Sequence, residues 1–193
     1  MNGQQRIWFT SDLHFGHQNI ITYCGRPWKT AQRMDEALIE NWNARVGQGD
    51  LVYVLGDVFW CEAERAAQIL RRLNGHKKVV LGNHDQLIRK DPGTRMLFDE
   101  ILPDLHEVHI DRMHIVLCHY PLLSWNRAFG GAFMLHGHSH NTIPFDPRNG
   151  RRMDVGVDAQ GYAPVSWHEV KSRLEAVPAF DPRGYERDGD GRA

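Results

Sequence analysis

The sequence is short of cysteine, of long apolar runs and of net charge, and each shortage excludes a class of protein. Only 3 of its 193 residues are cysteine (Cys24, Cys61 and Cys118), an odd number with no Cys-x-x-Cys pair. Neither a disulfide framework nor a cysteine zinc site is indicated, and the three read as reduced thiols. No apolar stretch approaches the ~18 residues that span a bilayer, so no membrane association is expected. The opening Met-Asn-Gly-Gln-Gln-Arg-Ile-Trp-Phe-Thr lacks the continuous apolar segment of a secretory signal, and the expected location is cytoplasmic. Lys+Arg 23 against Asp+Glu 24 leaves a net charge of −1, without the broad basic footprint of a nucleic-acid binder. Internal repeats and low-complexity tracts are absent. What remains, 41% hydrophobic and 24% charged, describes one globular domain. Residues 1–177 are expected to form it, and the Gly-, Pro- and charge-rich stretch 178–193 to be a flexible tail.

Short β-branched and aromatic runs alternate with segments of helical period. Strands are expected at 6–10, 51–55, 78–81, 114–118, 133–136 and 153–157, several of them apolar throughout, as strands covered on both faces are. Met34, Ala37, Leu38 and Trp42 mark one amphipathic helix over 31–45, and Ala66, Ile69, Leu70 and Leu73 a second over 62–73. Ser166 followed by Glu169 reads as a capping box opening a last helix over 166–175. The alternation indicates an α/β layered domain with mixed sheets.

Histidine is what the chain has in excess, 12 in all, and histidine is the commonest metal ligand. Each of five expected strands runs directly into metal-type residues: Asp12-Leu13-His14, Gly56-Asp57, Gly82-Asn83-His84-Asp85, His119, and Gly137-His138-Ser139-His140. Ligands of open α/β sheets bind beyond the carboxyl ends of strands, where loops converge. Asp12, His14, Asp57, Asn83, His119, His138 and His140 supply seven oxygen or nitrogen donors and no thiolate. Structural zinc needs four ligands, so seven suggest two ions sharing one carboxylate. Residues i and i+2 of an extended chain point the same way, which would let Asp-x-His and His-x-His each deliver two side chains to one place. Gly56, Gly82 and Gly137 permit the tight turns and close backbone approach that such a site needs.

This ordered set, spanning residues 12 to 140, resembles the calcineurin-like metallophosphoesterases. Ser-Asp-Leu-His-Phe-Gly-His at 11–17 and Val-Gly-Val-Asp at 155–158 are similar to the compact, cap-less bacterial and phage branch. The resemblance implies an αββα sandwich of two mixed β-sheets flanked by helices, with a dimetal site at one edge. It implies that Asp12, His14, Asp57 and His140 hold one ion and that Asp57, Asn83, His119 and His138 hold the other. His84 is then the group beside the substrate. Many family members carry a second Asp three residues after the one at 57, supporting that histidine; here the position is Trp60, and Asp85 is the candidate replacement.

Mixed histidine, carboxylate and amide ligands suit Mn²⁺, Fe²⁺ or Zn²⁺ better than Ca²⁺ or Mg²⁺, and the resemblance adds Mn²⁺ as the usual activator. The chemistry expected is hydrolysis of a small phosphoester by metal-activated hydroxide, with His84 assisting the leaving group. A phosphodiesterase is the first expectation and a phosphomonoesterase the close rival. A non-catalytic protein-binding scaffold of the same fold is the rival from another class, and a nuclease finds little support in the charge. Further candidates for gripping the phosphate are His17, Arg26 and Arg127, each on a loop. Trp28, Trp60 and Trp125 are core aromatics or the walls of a base-stacking pocket.

Overall fold

A computed structural model describes residues 5–180. The first sheet is built from β1 (Ile7–Thr10), β2 (Leu51–Leu55), β3 (His76–Val80), β4 (Glu100–Leu102) and β9 (Val165–Ser166), in the order β4-β3-β2-β1-β9. Its first four strands are parallel, and β9 runs antiparallel to β1. The second sheet orders β5 (Leu105–Ile110), β6 (Met113–Cys118), β7 (Phe133–His136) and β8 (Arg152–Asp154), with β5 antiparallel and the others parallel. Both sheets are therefore mixed. Helices α2 (Ala31–Arg45) and α3 (Ala63–Arg72) cover the outside of the first sheet, and α6 (Trp167–Glu175) closes the seam between the two.

Strand alternation explains why β2 is apolar at every position. Val52 and Val54 point toward Leu38, Trp42, Ile69 and Leu70 of α2 and α3, while Tyr53 and Leu55 point toward Ile115, Leu117, Phe133 and Leu135 of the second sheet. The far face of the second sheet carries a smaller apolar cluster of Val116 and Met134 under Trp125, Ala128 and Ala132. Trp125 is thus core, and Trp28 stands edge-on to Tyr162, away from any base-stacking role.

Short helices α1 (Gln18–Tyr23), α4 (Gln86–Lys90) and α5 (Pro92–Arg95), together with β4, β5 and β9, go beyond the expected elements. They are too short for periodicity to show. In β5 the histidines and Glu107 break up the apolar pattern. Asp111 and Arg112, both left-handed at φ 49 and 64, turn β5 into β6 as a type I′ hairpin does. The strand expected over 153–157 stops at Asp154, and Gly156 instead bridges to Ser11 of the first sheet.

Phe180 stacks on Phe129, with ring centroids 5.5 Å apart. The flexible tail expected over 178–193 lies, from residue 181 on, outside the described residues. Among the described residues no helix is long and apolar enough to cross a membrane.

The capping box at α6 forms: Ser166 Oγ accepts from the Glu169 amide at 3.2 Å, and the Glu169 carboxylate accepts the Ser166 amide at 2.9 Å. Ser166→Ala is expected to lower unfolding free energy by about 0.5–2 kcal/mol, seen as a lower denaturant midpoint at unchanged m-value. An unchanged midpoint would mean that α6 does not depend on this cap.

Candidate metal centre

The loops after β1, β2, β3, β6 and β7 meet where the two sheets adjoin. The chain beyond β1 runs beside the chain beyond β2: Asp12 donates its amide to the Gly56 carbonyl at 3.0 Å and His14 to the Asp57 carbonyl at 3.0 Å. Across the sheets, His119 Nδ1 donates to the Leu55 carbonyl at 2.7 Å, and the His138 amide donates to Asp12 Oδ2 at 2.9 Å. Every strand end named in the sequence therefore contributes to one place.

Beside a group of Cys24, His140 and Asp158, two groups of candidate ligand atoms draw on the strand ends, Asp12 with His14 and His140, and Asp57 with His119 and His138, the atoms of each lying within 4.8 Å of one another. Asp57 Oδ2 stands between them, 3.6 Å from His14 Nε2 and 3.5 Å from His119 Nε2. Asn83 Oδ1 lies 3.0 Å from His119 Nε2, so the second group gains its amide. Because His119 Nδ1 carries the proton given to Leu55, its Nε2 lone pair is what faces Asp57 and Asn83.

Burial makes this arrangement costly without a cation. Asp12 Oδ1 and both ring nitrogens of His14 are buried with no hydrogen-bond partner among the described residues. Each such orphan costs about 1–3 kcal/mol. Oxygen and imidazole donors converging on an unpaired carboxylate fit a divalent ion of the borderline class. In the metal-free chain burial pushes the Asp12 carboxyl up to about 8. Burial also pulls His14 and His138 down. His140 goes the other way: burial opposes its charge, yet the hydrogen bond to Asp158 and the neighbouring Cys24 raise it to about 10.

The backbone that presents these groups is strained. Asp12, His14, Asp57, His138 and His140 all have positive φ, from 44 to 65, a region costing non-glycine residues of order 1–3 kcal/mol. This corrects the reason expected for the pairs. Asp-x-His brings both side chains to one group and His-x-His delivers one to each, through left-handed turns after the strands have ended and not along an extended chain. The glycines have the expected purpose: a Cβ on Gly82 would run into the Asp57 carboxylate, and one on Gly137 into Ser11 and Asp12.

Three candidates are corrected. Arg26 does not face the opening; it is buried, with Nε and Nη2 each 2.8 Å from the Asp158 carboxylate and further bonds to the Asp12 and Leu13 carbonyls at 2.7 and 3.1 Å. Arg127 is exposed beside His114 at the opening end of β6, about 17 Å of strand from His119 at its other end. Asp85 does not support His84: its carboxylate takes the amides of Asp57, Val58 and Gly82 at 2.7, 2.8 and 2.8 Å, clamping two loops together. His84 has Trp60 beside it instead, at 5.0 Å and 66°. His17 does reach the cluster, its ring 5.4 Å from that of His14 and stacked on Trp60 at 4.4 Å. Of the remaining histidines, His109 stands on His114 and His76 on Asp99, while His136 is buried behind the Gly137 turn with Nδ1 2.9 Å from the Gly137 carbonyl.

Sequence reasoning passed over two acids. Asp158 accepts from His140 Nδ1 at 2.7 Å while held by Arg26, which leaves His140 Nε2 toward Asp12. Asp154 accepts from Ser139, Asn141 and Gly156, shaping the turn that carries His138 and His140. The Val-Gly-Val-Asp phrase pointed to Asp158, but nothing local paired it with an arginine 132 residues away.

Residues 5–187 match the family model described as calcineurin-like phosphoesterase. The chain belongs to the calcineurin-like phosphoesterase family. This family member is 33% identical over 177 residues to the uncharacterized protein MJ1445 of Methanocaldococcus jannaschii, covering 89% of this chain and 92% of that one. It is 30% identical over 190 residues to the Gene 66 protein of Mycobacterium phage D29, covering 85% and 90%. Its fold is that of AQ665 from Aquifex aeolicus, a crystal structure of a protein of unknown function, at TM-score 0.69 and 23% identity over 89% of this chain and 100% of the other.

The metal-free protein is expected to lose stability as pH rises from about 7 to about 9. Asp12 is raised from an ordinary 3.8, so its contribution is complete below that value and is lost as pH climbs through about 8. His140, raised from 6.5, follows through about 10, while the depressed His14 and His138 are neutral in both states across this window. Urea midpoints in chelator at both pH values measure it, and a flat or rising midpoint would contradict the assignment.

Proposed function

We propose that this chain is a metal-dependent phosphoric ester hydrolase with two divalent ions, Mn²⁺ first among them, and that its substrates are phosphodiesters. Asp12, His14, Asp57 and His140 hold one ion; Asp57, Asn83, His119 and His138 hold the other. The observation carrying this reading is the Asp57 oxygen set almost equally, at 3.6 and 3.5 Å, between histidines of two candidate ligand groups, in the first of which Asp12 Oδ1 and both His14 ring nitrogens are buried without partners among the described residues. Such ions activate water at neutral pH and neutralise the phosphoryl oxygens of an in-line displacement.

The chain's own groups supply the rest. The Asp57 carboxylate takes the His84 amide on Oδ1 at 2.9 Å, leaving Oδ2 for the ions and fixing the His84 backbone against the cluster. The His84 ring is exposed at the mouth and gives its proton to the departing oxygen. Asp158, pinned by Arg26, holds the Nδ1 proton of His140 so that Nε2 is the ligand atom. Asn83, His84 and His138 are all exposed, so both substituents of a diester have room, which favours a diesterase over a monoesterase. A binding scaffold would have no need of a complete ligand set held at the cost of backbone strain.

Elemental analysis of purified Asp57→Asn should find both ions depleted, whereas His84→Ala should keep them and lose about 10²–10⁴-fold in kcat. Two ions retained in the first variant, or full turnover in the second, would remove the roles given to these residues. With Mn²⁺, bis-p-nitrophenyl phosphate should be cleaved faster than p-nitrophenyl phosphate, and chelator should abolish both. The reverse order makes the protein a monoesterase; no turnover of either ester moves the scaffold reading ahead.

A further inference from the structure

A cavity of about 430 Å³ opens beside the cluster, lined by Trp60, Glu62, Asn83, His84 and Gln86 among others. That volume lies within the roughly 300–1,000 Å³ of small-molecule sites. We propose that it is a subsite for the planar heterocycle of a diester of a single nucleotide, the base stacking on Trp60 while the phosphate lies on the ligand cluster. This rests on the phosphoester reading above and adds to it the class of substrate.

Trp60 is the first argument. Its neighbours Val58 and Phe59 are buried at 1% and 2% exposure, yet Trp60 is 49% exposed. It is not loose. One side stacks on His17 at an interplanar angle of 13°, and His84 stands against it at 66°. An aromatic plate whose orientation is set in advance loses little entropy on binding another ring. Tyr120, 45% exposed, also borders the cluster, but it packs against the His119 and His138 rings on the side of the second sheet and does not line this cavity.

The second argument is the polar edge. Glu62 is the N-cap residue of α3, but its side chain makes no capping hydrogen bond. Gln86, at the first position of α4, is exposed on the same rim. An acceptor-only carboxylate and an amide that both donates and accepts are complementary to the amino and carbonyl edge of a base. The Glu62 charge also repels a second phosphate, which argues for a single nucleotide over a strand. Arg65 and Arg72 of the same helix are paired with Asp35 and Glu36, so this face offers no row of cations for a polynucleotide backbone.

Reach is the third argument. Asn83 and His84 line the cavity and also touch the cluster, Asn83 Oδ1 lying 3.0 Å from His119 Nε2 and the His84 amide 2.9 Å from Asp57 Oδ1. Base and phosphate would lie on either side of these two residues.

The test is calorimetric binding to the full chain in Mn²⁺ of two phosphonates that cannot be hydrolysed: that of adenosine 5′-phosphate and that of ribose 5-phosphate. Stacking on an aromatic side chain is worth about 1–3 kcal/mol per base, or roughly 5–150-fold in affinity. The adenosine ligand should bind more tightly by a factor in that range. Trp60→Ala should lose most of the difference, Trp60→Phe should keep most of it, and the ribose ligand should bind all three proteins alike. Equal affinity of the two ligands for the unaltered protein, or equal weakening of both by Trp60→Ala, would overturn the proposal. Turnover of bis-p-nitrophenyl phosphate is measured in parallel. An active enzyme without base preference defeats this inference alone, and an inactive protein that prefers the base defeats the hydrolase reading alone.

Discussion

The structure depends on keeping the Asp57 carboxylate buried and aimed. One of its oxygens is held by the His84 amide, and the other is left between His14 and His119. The main chain on either side is tied down by Asp85, which draws together the loops after β2 and β3, and Gly82 leaves space for the carboxylate where any side chain would collide. A buried anion lacking a partner is among the most expensive things a protein can contain. Here the neighbours are further donors, Asp12 and the histidines, so the arrangement concentrates unpaired acceptor atoms in one spot, where a cation offsets the cost.

The meeting of two sheets makes that spot possible. The first sheet delivers Asp12, His14, Asp57 and Asn83, and the second delivers His119, His138 and His140. The halves are joined by the His119 bond to the Leu55 carbonyl and by the pairing of Ser11 with Gly156. Arg26 and Asp158 add a buried clamp, one end on the Asp12 and Leu13 carbonyls and the other on His140. Left-handed backbone at five of the donor positions is tolerated because these cross-links determine the loops from several directions.

Much of this was legible along the chain, and the reason differs from element to element. The strands of the inter-sheet core announce themselves as unbroken apolar runs, and α2, α3 and α6 by helical period and a capping box, because burial and capping act over a few residues. The Asp, His and Asn donors were visible since each follows its strand directly. Trp60 was visible too, but only as an aromatic of undecided use, since nothing in Asp-Val-Phe-Trp says which ring stays out of the core. Arg26 and Arg127 were misread for a related reason: a loop arginine looks the same whether it meets solvent, substrate or a distant aspartate.

By itself, then, the amino-acid sequence determined the longer elements, their alternation and the kinds of side chain at the strand ends, all properties set by interactions among near neighbours. Only the tertiary structure decided which donors share an oxygen, that Asp85 clamps loops and does not support His84, that Arg26 pairs with Asp158, and that Trp60 stands half-exposed beside His84. Those outcomes turn on contacts between residues tens to more than a hundred positions apart. Such contacts depend on how the two sheets pack and on which polar groups burial leaves in need of a partner.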